Sequence, residues 1–158
     1  MGTAAEAAAS LGAMADRLSD MTPILEVVAA NVRLEIDDAF QNGASPSGLV
    51  WQALSHTTEQ INPRRVGGKP LNDTARLRRS ITTSVTPSSL RFGTNVVYAG
   101  AQNFGNPANK VFGGPPGPVP SRQFLLVSQD GTRLEPAAFW ERQREVVDHW
   151  IRTGEVLA

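Results

Sequence analysis

Residues 91–105 read RFGTNVVYAGAQNFG. Leu90 and Phe92 alternate with polar neighbours, the pattern of a strand with one buried face. Gly93 and Asn95 follow, two residue types that tolerate positive φ and suit a tight turn. A short apolar-aromatic run comes next, Val96, Val97, Tyr98 and Ala99. Gly105 sits where a short helix takes a left-handed stop. Strand, turn, short helix and stop thus fit into fifteen residues, which makes the surrounding fold α+β.

Upstream, Ile81, Thr83 and Val85 alternate as a strand. Pro87, Ser88 and Ser89 turn the chain, so the quoted stretch begins as the return arm of a β-hairpin. Before the hairpin, Asn72 or Asp73 is expected to cap a helix running through Arg79. Residues 43–72 are rich in Gly, Pro, Ser and Asn around Leu49, Val50, Trp51 and Leu54. They read as a turn or short helix that lays Trp51 on the core, then an irregular crossing.

Two helices precede this. Thr3 and Glu6 form a capping box, and Ala4, Ala7, Ala8, Leu11, Met14 and Leu18 recur at helical spacing. That face is mostly methyl groups, so the helix is expected to be held weakly by its own domain. Thr22 and Pro23 suit an N-cap and first helical position. Leu25, Val28, Val32, Ile36 and Phe40 then share one face, at roughly 1.5–3 kcal/mol for each large side chain buried. Asn42 and Gly43 end this main core helix.

Downstream, residues 106–119, NPANKVFGGPPGPV, are punctuated by Pro and Gly around an isolated Val111-Phe112 pair. A long loop of this kind is either disordered or functional, and its apolar pair either docks on another chain or tucks onto its own domain. Phe124, Leu125, Leu126 and Val127 should add a third strand. A last helix starts near Leu134 to Pro136, carries Phe139, Gln143, Val146, Val147, Trp150 and Ile151 on one stripe, and stops at Gly154. It is expected to pack on the sheet. Trp51, Trp140 and Trp150 sit at core spacings.

Four pieces in order resemble one family. GTNVVYAGAQNFG is similar to the central motif of the phage virion morphogenesis (tail completion) family of Mu-like tailed phages. Phe40 to Asn42, with Gly43, Pro46, Gly48, Trp51, Leu54 and Thr57, resembles its first motif. LNDTARLRRSI (residues 71–81) and VPSRQFL (residues 119–125) resemble two more. Ala75 stands where the family often has Gly, Ala101 where it often has His, and Leu126 where Gly usually follows. The resemblance implies one domain over residues 1–158 and a structural virion protein of the neck or tail, assembled in the host cytoplasm. It implies a homo-oligomeric ring, hexameric in such families, that completes the tail or joins it to the head around the DNA exit channel. Neighbouring neck and tail proteins are then its partners.

Length and charge bound the chain; the motif order alone carries the structural role. The 158 residues suit one domain. There is no cysteine, hence no disulfide frame or thiolate metal site. No apolar run approaches the roughly 20 residues of a membrane span. Net charge is zero but segregated: residues 1–59 carry −6, residues 60–133 carry +8, and residues 134–158 carry −2. The basic middle includes Arg64, Arg65, Lys69, Arg76, Arg78 and Arg79. These are expected to face acidic groups of a neighbouring copy, with Glu35, Asp37 and Asp38 as partners, or to touch packaged double-stranded DNA without sequence preference. The alternatives are a DNA-binding module using residues 60–133, or a tail terminator.

No catalytic, cofactor or metal site is expected. Arg64 to Lys69 superficially resembles a phosphate loop, but Pro70 follows the lysine where Ser or Thr is needed. Asp37 and Asp38 diverge by about 100° on a helix and cannot share an ion easily. His56 follows Ser55, and sequence neighbours seldom form a nucleophile–base pair. His149 lies on the polar part of the last helix. Asn72 to Thr74 matches a glycosylation acceptor, better read as a helix cap.

Overall fold

A computed structural model describes residues 3–108 and 118–157. Its helices are α1 (Ala4–Ser19), α2 (Thr22–Asn42), α3 (His56–Ile61), α4 (Arg76–Arg79), α5 (Ala99–Phe104) and α6 (Ala137–Thr153), with a 3-10 turn at Pro63–Arg65. Strands β1 (Thr82–Thr86) and β2 (Ser89–Gly93) pair antiparallel, Thr82 opposite Gly93 and Thr86 opposite Ser89. The fold is α+β, as its sequence periodicities predict.

The core is built on α2. Ile24, Val28, Val32, Ile36 and Phe40 are buried along it, together with Ala29 and Ala39. Ile24 takes the place expected of Leu25, which is only half-buried. The helix begins one residue earlier than expected. Thr22 is its first residue, and the Asp20 carboxylate, not a Thr22 hydroxyl, accepts the Thr22 N–H at 3.0 Å. Gly43, in the left-handed region at φ 68°, closes the other end. The hairpin packs on α2. Phe40 meets Trp51 edge-on and tilts against Phe124, with ring centroids 5.6 and 5.3 Å apart.

The last helix lies mainly against α1 and α2, not flat across the sheet. Asn31 donates to Gln143 at 2.8 Å between α2 and α6. Trp140 reaches the hairpin, stacking on Phe92 at 6.0 Å. Pro136 is the residue before the first helical one, behind a cis Glu135–Pro136 bond. Trp51 and Trp150 are buried and Trp140 is half-buried.

Three local expectations are corrected. Phe124 to Val127 form no strand; Val127 makes one isolated bridge, to Leu134. Burial still alternates there, with Arg122, Phe124, Leu126 and Ser128 inside. Backbone partners from other loops and side chains share the work: the Arg122 N–H donates to the Gln102 carbonyl at 2.7 Å and the Leu126 carbonyl accepts the Glu135 N–H at 3.0 Å. Asn103 Oδ1 accepts the Phe124 and Leu125 N–H groups at 2.9 and 3.0 Å, and Trp51 Nε1 donates to the Gln123 carbonyl at 3.0 Å. Second, the turn after β2 is made by Thr94, whose hydroxyl accepts the Val96 N–H at 3.1 Å. Gly93 and Asn95 do not have positive φ. Third, Gly105 stops α5 at φ 81°, ψ 165°, outside the left-handed helical well and in a region open almost only to glycine. A Cβ there would lie 3.1 Å from the Ser121 nitrogen and 3.2 Å from the Val119 oxygen.

Candidate inter-subunit and DNA-facing surface

The last carbonyls of any helix lack partners within it. In α2 the basic crossing supplies them. Lys69 Nζ donates to the Gln41 carbonyl at 2.5 Å, and Asn72 Nδ2 donates to the Phe40 carbonyl at 2.7 Å. The Gly43 and Ala44 N–H groups both reach the Ala39 carbonyl. A cation at this end also complements the negative pole of the helix dipole. Asn72 therefore caps the end of α2 and not the start of a helix at 72 or 73.

That helix is α4, only four residues long, and Ala75 precedes it in the left-handed region at φ 54°. The short helix aims three arginines in different directions. Arg78 turns back to α2 and holds the Asp37 carboxylate through Nε and Nη2, both at 2.5 Å. The hydrogen bonds from Arg78 hold Asp37 below the usual carboxylate range. Arg79 donates to the Thr74 carbonyl at 2.6 Å. Arg65 pairs with Asp73 at 3.2 Å. A shallow groove remains between the crossing and α2, lined by Phe40, Gln41, Lys69, Asn72 and Arg78.

Of the six cations singled out, four are thus engaged within the chain. Arg64 and Arg76 are exposed, and their side chains reach no acceptor among the described residues. Asp37 meets Arg78 of its own chain, whereas Asp38 is exposed and Glu35 half-buried, neither with an ion-pair partner among the described residues. Val111 and Phe112 lie outside the described residues. His56 is exposed at the start of α3, and His149 is half-buried on α6.

The polar residues that organise the interior were not singled out in the sequence. Asn103 is fully buried. Arg122 is buried too, and its guanidinium donates to the Gln52 and Ala53 carbonyls at 2.9 and 3.1 Å. Burial, and then the charge of Arg65, push its pKa down. Ser128 and Thr132 hydroxyls donate to Asp130 and hold that carboxylate well below its ordinary range. The signal for Arg122 and Ser128 is their register: both fall on the inward positions of the alternation that includes Phe124 and Leu126.

These are features of a scaffold, and comparison with known proteins places the scaffold. A model of the phage virion morphogenesis family matches residues 3–134. The chain belongs to that family. It is also similar to Mu-like prophage FluMu G protein 2 of Haemophilus influenzae, 26% identical over 125 residues that cover 79% of this chain and 80% of that one. No solved structure matches. The family match spans both N-terminal helices, the crossing, the hairpin, α5 and the Asn103-held segment, so a role in virion morphogenesis belongs to this α+β unit.

Proposed function

We propose that this protein is a non-enzymatic structural component of the phage neck or tail. Its copies form a closed homo-oligomeric ring, six by family resemblance, around the DNA exit channel, where it completes the tail or joins it to the head. The match to the virion morphogenesis family over residues 3–134 carries this reading. Of the six cations singled out, Arg64 and Arg76 are left to face a neighbour or phosphate; Asp38 and Glu35 are acidic groups left to answer them across an interface. The residue 106–119 loop, with Val111 and Phe112, is a second inter-subunit element. Electron micrographs of the purified protein and of virions test the reading. Rings of uniform diameter, located at the neck or tail, are the expected outcome. Monomers that bind DNA sequence-selectively at physiological salt would favour a DNA-binding module instead.

A further inference from the structure

Arg122 is the one charged side chain buried among the described residues. It sits where three segments join. Its guanidinium Nε and Nη2 hold the Gln52 and Ala53 carbonyls, and Nη1 reaches Gln102 Oε1 of α5 at 3.4 Å. Every one of these acceptors is neutral. The ion pairs of the described residues are Arg65–Asp73 and Arg78–Asp37, so Arg122 has no carboxylate of its own. Buried charges are ordinarily paired, because a lone ion taken out of water is unfavourable.

Its donors also outnumber its acceptors. A guanidinium carries five N–H groups, and three are used here. One of the remaining two is on Nη1 and the other on Nη2. These two nitrogens together grip a carboxylate through parallel bonds. A second cation adds to the field: the charge of Arg65 acts on Arg122, and Arg65 is itself matched by Asp73. A water molecule can accept the spare bonds but leaves the charge uncompensated, whereas an anion does both. Arg122 is 7% exposed. A duplex phosphate, carried on a bulky backbone, cannot enter so small an opening; the tip of an Asp or Glu side chain can.

We propose that the Arg122 guanidinium receives the carboxylate of Asp16, Glu26 or Asp38 from an adjoining copy of this chain. The charge distribution supports that occupant. Residues 1–59 carry −6. Within them Asp16, Glu26 and Asp38 are exposed, and their side chains meet no hydrogen-bond or ion-pair partner among the described residues. The cation is also ordered in advance. The carbonyls of residues 52 and 53 fix it before a partner arrives, so contact costs little side-chain entropy. The inference rests on the ring reading and gives its interface one buried ionic contact.

Nitrogen NMR of the full chain tests this. An Nε–H held on a carbonyl in a buried site exchanges slowly and gives its own signal, assigned through the Arg122 side-chain correlations. Sodium acetate, titrated against sodium chloride at constant ionic strength, is expected to move that signal saturably. Assembly of the wild-type chain should move it in the same direction. One of Asp16→Asn, Glu26→Gln and Asp38→Asn should abolish the assembly shift and raise the concentration needed for assembly about tenfold. The melting temperature of the monomer should not change, since each of these carboxylates is exposed and unpaired. A signal that ignores acetate or stays in place on assembly overturns the contact and leaves the ring reading standing. An assembly shift that survives in all three variants, or a shift produced by random-sequence duplex DNA at physiological salt, overturns it too. A chain that stays monomeric at every concentration removes the ring reading and this occupant together.

Discussion

At the scale of single residues, backbone conformation decides two outcomes of opposite sign. Ala75 holds a left-handed conformation at φ 54° that costs an alanine about 1–2 kcal/mol. Glycine there removes that strain and adds roughly 0.5–1 kcal/mol of unfolded-state entropy. Ala75→Gly is therefore expected to stabilise by about 0.5–1 kcal/mol, read by urea midpoint. Gly105→Ala should destabilise by about 2–4 kcal/mol, because its backbone region excludes Cβ and the Val119 and Ser121 backbones stand against it. A third residue titrates. Asp37 has its pKa lowered by Arg78, so its contribution is complete above the ordinary carboxylate value and is lost as pH falls through the lowered one. Both partners are part-exposed, which limits the pair to about 1 kcal/mol or less. Asp37→Asn should melt lower than the parent at neutral pH, and the two melting curves should converge in strong acid.

At the scale of elements, α1 is the one helix of the chain's long three that buries no residue. Removing residues 1–19 should leave a cooperatively unfolding domain, seen by calorimetry, that no longer assembles. Loss of cooperative unfolding would place α1 in the folding unit. Elements whose signals are local were legible in the sequence: the Thr3–Glu6 capping box forms, with bonds of 2.6 and 3.2 Å, and Gly43 and Gly154 cap α2 and α6. The hairpin follows from alternation and its Pro87-Ser88 turn. The misread pieces depend on distant partners. Alternation at residues 122–128 records which side chains go inward and says nothing of what bonds the backbone, and here Asn103 replaces a neighbouring strand. The start of α4 was hidden because Asn72, a good cap by type, is used 32 positions away on Phe40.

At the scale of the molecule, segregated charge proves a poor guide to free charge. The +8 of residues 60–133 includes cations that cap α2, pair with Asp37 and Asp73, or sit buried as Arg122 does. If only Arg64 and Arg76 meet phosphate, the slope of log affinity against log salt should be about −2, where all six would give about −5. Filter binding to random-sequence duplex at several salt concentrations measures it, and Arg64→Glu with Arg76→Glu should abolish the slope. A slope near −5 would mean that the internal pairs open on DNA. The capping of α2 also has a consequence in time. Its last carbonyls are completed by Lys69 and Asn72, 28 and 32 positions downstream, so a ribosome must finish the crossing before that end can settle. Early contacts favour short loops, and the first turns of α2 can form without this long closure. In pulse-labelled refolding, the Gly43 and Ala44 amides should gain protection late, together with the hairpin, while the middle of the same helix is already closed to exchange.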